Sequence, residues 1–157
     1  MAGAGIVKAL YDEAEFQEII DALSKASDPK LEQLAWFMGE ELRDISEKAF
    51  EKENDPVTGK KWDPIQPRGN GAKEPGSVTT ILRDHGILHD SLNHNDSAEG
   101  TVFGSHMAYA RIHQQGGQAG RGKKTVIPAR PYMGVPKDFD RRVLNDPAVL
   151  DLLGLGG

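Results

Sequence analysis

The stretch SDPKLEQLAWFMGEELRDISEKAFEKENDP, residues 27–56, decides the fold of this chain. Asp28 offers a side-chain oxygen at a helix N-cap, and Pro29 suits the first helical position, where its missing N–H costs nothing. Leu31, Leu34, Ala35, Met38, Leu42, Ile45 and Ala49 then recur at helical spacing, while Glu40, Glu41, Arg43, Asp44, Glu47 and Lys48 fall mostly off that stripe. The pattern predicts one long amphipathic helix over 29–53, closing near residues 50–54 ahead of Pro56, which disfavours helical backbone in its predecessor. Leu34, Met38, Leu42 and Ile45 form its expected core face, each contributing about 1.5–3 kcal/mol if buried.

Upstream, DEAEFQEIIDALSKA reads as a shorter helix, with Asp12 and Glu15 at capping-box spacing and Phe16, Ile19, Ile20 and Leu23 on one face. GIVKAL at 5–10 has the character of a short strand. Downstream, 54–77 shows neither helical nor strand period and is expected to be an extended loop, pinned to the body by Trp62. Residues 79–84 suggest a short helix stopped by Gly86. Alternation through 87–94, the turn sequence NDSAEG and the run TVFGS predict a hairpin. A short helix over 106–115 follows, with Met107, Ala110 and Ile112 to one side, then an extended basic loop at 116–124 and a strand at TVIP. The segment 137–153 reads as a helix broken at Pro147, with a frayed tail at 154–157. The fold class expected is α+β, a long amphipathic helix packed on a small antiparallel sheet, with long loops and a C-terminal helix, in one domain over 1–157.

Charge is unevenly distributed. Residues 1–55 carry six Lys and Arg against fourteen Asp and Glu, a balance of −8, whereas the remainder is at +3. Between Glu99 and Asp138 there is no acidic residue, and that interval holds Arg111, Arg121, Lys123, Lys124, Arg130 and Lys137. A segment of one sign seeks a partner of the other, either a nucleic acid or the acidic front of a second copy. The chain has no cysteine, which excludes disulfides and thiol catalysis. No apolar run approaches a membrane span, the N-terminus lacks a secretory design, and a cytosolic place of assembly is expected.

Catalytic readings find little support. His85, His89 and His94 are irregularly spaced, and on a strand His89 and His94 would face opposite sides, so polar hairpin residues are favoured over a metal site. Ser105 and His106 are adjacent, a poor arrangement for a nucleophile and its base, and no G-x-S-x-G elbow surrounds them. Glu40, Glu41 and Asp44 suit a solvated helix face. GGQAGRGKK lacks the phosphate-loop pattern. No catalytic residue, cofactor or metal is therefore assigned. Nucleic-acid binding has more behind it, since Arg121, Lys123, Lys124 and Arg130 would neutralise phosphates, but the net charge of −5 and the absence of interleaved aromatics before Tyr132 weigh against it.

Four pieces in order carry a resemblance: AFEKENDPVTGKKWDP at 49–64, ILRDHGILHDSL at 81–92, VFGSHMAYARIHQQGG at 102–117 and IPARPYMG at 127–134. Together they resemble the phage virion morphogenesis proteins, the tail-completion family of Mu-like and P2-like contractile-tailed phages, over roughly residues 30–135. The resemblance implies a structural, non-enzymatic role in finishing the tail for joining to the DNA-filled head. It implies a homo-oligomeric ring at the neck, expected as a hexamer. The implied partners are tail tube or terminator proteins on one side and head-completion or connector proteins on the other, with DNA in the lumen and no membrane. It points to Trp62, Gly86, Leu88, Ser91, Gly104, Tyr109, Ala110, His113, Gly116, Gly117, Arg130, Pro131 and Gly134 as family positions. Tyr109 and His113 lie four apart and share a helix face, and Pro131 extends the backbone at Arg130, suiting its guanidinium to a carboxylate partner. The assembly residues expected are Trp62, Tyr109, His113, Arg121, Lys123, Lys124, Arg130 and Tyr132, the three cations at 121–124 resting on charge alone. The alternative is a DNA-binding module acting through the basic 111–130 segment.

Overall fold

A computed structural model describes residues 13–65, 81–83 and 85–157, the side chains of Glu13 and Phe16 excepted. The strand expected at 5–10, the Asp12 cap, half of the helix expected at 79–84 and the distal part of the 54–77 loop lie outside the described residues, and the described half of that helix, 81–83, is a turn with Leu82 left-handed. The architecture is α+β, as expected: one long helix, two two-stranded sheets and a pair of C-terminal helices. By internal packing the chain divides into two compact units, one of Met1–Arg43, Asn93–Phe103 and Val135–Gly157, the other of Asp44–Leu92 and Gly104–Gly134.

The first unit begins with α1 (Glu13–Lys25) and contains the leading part of α2 (Asp28–Lys52). The Ser27 carbonyl accepts from the N–H groups of Lys30 and Leu31, so Ser27 rather than Asp28 stands at the cap and Pro29 sits one position further in. Of the expected α1 face, Ile19 is buried, Leu23 half-buried and Ile20 exposed. Strands β1 (Leu92–Ser97) and β2 (Gly100–Ser105) form the expected hairpin about Ala98 and Glu99, and a connection that short fixes them antiparallel. The tail of the chain supplies two helices, here α5 (Phe139–Leu144) and α6 (Pro147–Leu153), and α6 packs against both α5 and α1. The break at Pro147 is as expected. Asp146 caps α6 by accepting from the Ala148 N–H at 2.8 Å, with Pro147 in the first turn. The tail expected to fray is instead a glycine cap: Gly154 is left-handed, and the N–H groups of Leu155 and Gly156 both reach the Leu150 carbonyl.

The second unit contains the remainder of α2, and its core lies there. Ile45, Ala49 and Phe50 are buried, together with Trp62, Ile81, Leu88, Leu92, Ala110 and Tyr132. The stripe on α2 is therefore offset from the expected one. Ala35, Gly39, Ile45, Ser46, Ala49 and Phe50 are covered, while Leu34, Met38 and Leu42 are only half-buried. The described part of the 54–65 segment is a tight turn, with Asn54 bridging antiparallel to Lys61 and the Asp55 carboxylate receiving the Val57 and Thr58 N–H groups. Gly86, expected to stop a helix, begins one: it is left-handed at the cap of α3 (Ile87–Asp90). The strand expected from 87 thus starts only at Leu92. The helix expected at 106–115 is shorter, α4 (Ala110–Gln115).

Candidate assembly surface

The basic segment expected as an extended loop is a small ribbon. Strands β3 (Gly117–Ala119) and β4 (Thr125–Ile127) pair antiparallel in the register Gly117↔Ile127, Gln118↔Val126, Ala119↔Thr125, closed by a 3-10 turn over Arg121–Lys123. Its glycines supply turn geometry: Gly120 and Gly122 both have positive φ at the tip. At the base Gly116 has φ 74°, and a β-carbon there would lie 2.8 Å from the Ala129 nitrogen. A two-stranded ribbon is marginal alone. This one is clamped at its root, where the Gly116 N–H donates to Ile112 and the Arg130 N–H to His113, both at 2.8 Å. Arg121, Lys123 and Lys124 are exposed at the tip, and Val126 beside them is 72% exposed.

Beneath the ribbon lies a packed aromatic group. Phe50 meets Trp62, His89 and Tyr132 at ring-centroid distances of 5.8, 5.3 and 5.2 Å. Trp62 is buried, as expected of a residue pinning its loop, and its indole N–H donates to the Pro131 carbonyl at 2.8 Å. Tyr132 is fully buried and donates to the Ala110 carbonyl at 3.0 Å, burial pushing its phenol up to about 12. Arg130 is also buried. Among the described residues its guanidinium meets no carboxylate but donates to the main-chain carbonyls of Asp63 at 3.0 Å and Pro64 at 3.2 Å, tying the 54–65 turn to the 128–134 segment. Tyr109 is exposed at the cap of α4, edge-on to His113 at 5.9 Å. His113 is held below the usual histidine range, first by burial and then by the Arg130 charge, and its Nδ1 has no hydrogen-bond partner among the described residues.

Of the eight expected assembly residues, Trp62, Arg130 and Tyr132 are thus internal braces, His113 is half-buried, and Tyr109 and the three tip cations reach solvent. The sequence reading missed Gln114, whose Oε1 accepts from the Tyr132 and Met133 N–H groups while its amide donates to the Met133 carbonyl, as a strand neighbour would. Ser105, weighed as a nucleophile, shares its hydroxyl with Ser91 at 2.6 Å and receives the Met107 N–H. Among the described residues no cluster of His, Asp and Glu has the arrangement of a metal site, and no helix is long and apolar enough to cross a membrane.

In the first unit, His94 sits between two carboxylates. Its Nε2 lies 2.8 Å from Glu40 and its Nδ1 2.8 Å from Asp96, with only 6% of the side chain exposed. Bonding both nitrogens to carboxylates calls for the doubly protonated ring. Burial lowers its pKa, but the Glu40 and Asp96 hydrogen bonds outweigh that, and the net shift is upward. A histidine raised in the folded state contributes stability fully below its unfolded value, about 6.5, and loses it as pH rises through the folded value. The stability gap between wild type and His94→Gln should accordingly be widest in acid and close above neutrality. Urea melts of both proteins at pH 5.5 and pH 8.5 test this, the opposite contribution of His113 cancelling in the difference. A gap that widens with pH would show that the ring is neutral.

Comparison with known proteins places the chain among phage structural and assembly proteins. A model of the Phage virion morphogenesis family matches residues 11–149, and the chain belongs to that family. It is 33% identical over 114 residues to the putative capsid assembly protein G of Escherichia phage Mu, covering 69% of this chain and 71% of that protein. It is 41% identical over 67 residues to the Mu-like prophage FluMu G protein 2 of Haemophilus influenzae, covering 43% of this chain and 49% of that one. No solved structure matches.

Proposed function

We propose that this chain is a structural, non-enzymatic protein of the phage neck. It completes the tail and mediates its joining to the head as a homo-oligomeric ring, taken here as a hexamer. It would sit between tail tube or terminator proteins and head-completion or connector proteins, in the virion and assembled in the host cytoplasm. The observation carrying this reading is the rigidly rooted ribbon that presents Arg121, Lys123 and Lys124 to solvent on a chain whose first 55 residues stand at −8. The family and the capsid-assembly name borne by the Mu relative support a place in virion construction. An arm of one sign and a surface of the other on the same chain form a heterologous contact, which gives a ring where the rotation from copy to copy closes and a filament where it does not.

Changing Arg121, Lys123 and Lys124 together to Glu should abolish self-association and tail joining while leaving the thermal melt within a few degrees of wild type. All three are exposed, and surface changes of that kind usually alter stability by less than about 0.5 kcal/mol. Light scattering after gel filtration, over a salt series, gives the oligomer mass. Exposed charges are screened beyond about 8–10 Å near physiological ionic strength, so wild-type association should weaken with salt. Joining that persists in the triple variant at all salt concentrations would refute the assembly role of the ribbon. The acid-free 111–130 segment keeps DNA as the rival partner, and duplex DNA added to the same samples separates the two.

A further inference from the structure

The first unit holds a cleft of about 530 Å³, lined by Pro29, Glu32, Gln33 and Trp36 of α2 and by His94, Asn95 and Asp96 of β1. Trp36 is 48% exposed, with Phe37 edge-on to its ring at 5.2 Å. Asp96 is committed internally, accepting from His94 and from the Thr101 hydroxyl at 2.8 Å. Glu32 is exposed and has no hydrogen bond or ion pair among the described residues. An accessible indole beside an uncompensated carboxylate is the chemistry that receives a cation, and a guanidinium uses both, stacking on the ring and forking to the carboxylate.

We propose that this cleft receives the ribbon tip of a second copy of the same chain, with Arg121 seated between Trp36 and Glu32. This rests on the ring reading above and names its interface. Arg121, Lys123 and Lys124 have no side-chain hydrogen bond or ion pair among the described residues, so the arm is not spent on its own chain. The arm belongs to one compact unit and the cleft to the other. Each copy thus carries one donor and one acceptor surface, and repeated docking propagates head to tail.

The full-length chain tests this by charge exchange. Arg121→Glu and Glu32→Arg should each weaken self-association at least about tenfold, and the chain carrying both should recover it, because the pair is re-formed with its signs reversed. Emission from Trp36, identified by its loss in Trp36→Phe, should shift to the blue on association, as the exposed indole is covered. A wild-type chain monomeric at every concentration would overturn the ring reading itself. A wild type that associates while the single variants are silent, or a double variant that fails to recover, would leave the ring and overturn the cleft. Loss of duplex-DNA binding in Arg121→Glu, with association unchanged in Glu32→Arg, would assign the arm to DNA and overturn it equally.

Discussion

Phe50→Ala should destabilise the protein by about 3–5 kcal/mol, the range for emptying a fully buried aromatic site. Phe50 ends the buried stripe of α2 and is the ring on which Trp62, His89 and Tyr132 converge. Those three come from a turn, a short helix and an extended segment that share no ladder, and Trp62 and Tyr132 cannot close over the hole without breaking their side-chain bonds to main-chain carbonyls. Trp62 would have to release the Pro131 carbonyl and Tyr132 the Ala110 carbonyl. Leu42→Ala is the control. The sequence pattern assigned Leu42 to the core at about 2–5 kcal/mol, but it is half-buried, and its truncation should cost about 1–2 kcal/mol by area. Chemical denaturation of the two variants measures both, and equal losses would mean that the aromatic group is not the main anchor of its unit.

Gly39→Ala should reverse the sign of an ordinary helix substitution. In a helix interior alanine is favoured over glycine by about 1 kcal/mol. Here a β-carbon would overlap the His94 ring, which is held at both nitrogens and cannot swing aside without abandoning Glu40 or Asp96. A loss of about 1–3 kcal/mol is expected, the usual cost of overpacking. With His94→Ala in place the obstruction is gone, and the same Gly39→Ala change should stabilise by about 1 kcal/mol. The double-mutant cycle reads the coupling directly. A stabilising Gly39→Ala in the wild-type background would place the His94 ring elsewhere.

Legibility in the sequence followed the range of the interactions. The α2 helix was readable because a proline at its start and an apolar stripe act within a few residues, and the break between α5 and α6 was readable at Asp146 and Pro147 for the same reason. The hairpin was readable from its turn composition, as was the family from four ordered pieces. Gly86 was misread because a left-handed glycine ends one helix and opens another with equal ease, and only the surrounding chain decides. The β4 strand was readable at TVIP, but its partner β3 was misread as loop because three residues are too few to show a period. Arg130 was misread because its partners are main-chain carbonyls, which leave no mark in a sequence, and Gly39 drew no notice because its reason is a ring 55 positions away.

Neither compact unit is a continuous run of chain: the first joins Met1–Arg43 to Asn93–Phe103 and Val135–Gly157, and the second is interleaved between them. During translation, then, the leading helices must wait for α6, on which α1 packs, before their unit can be completed. At roughly 5–20 residues per second the delay after residue 43 is on the order of 10 s. No truncation from either end isolates one unit, and joining the termini would still leave 93–103 of the first unit between 44–92 and 104–134 of the second. On the ribosome the first unit would therefore remain unfinished until α6 emerges, so its fold is completed late in the emergence of these residues.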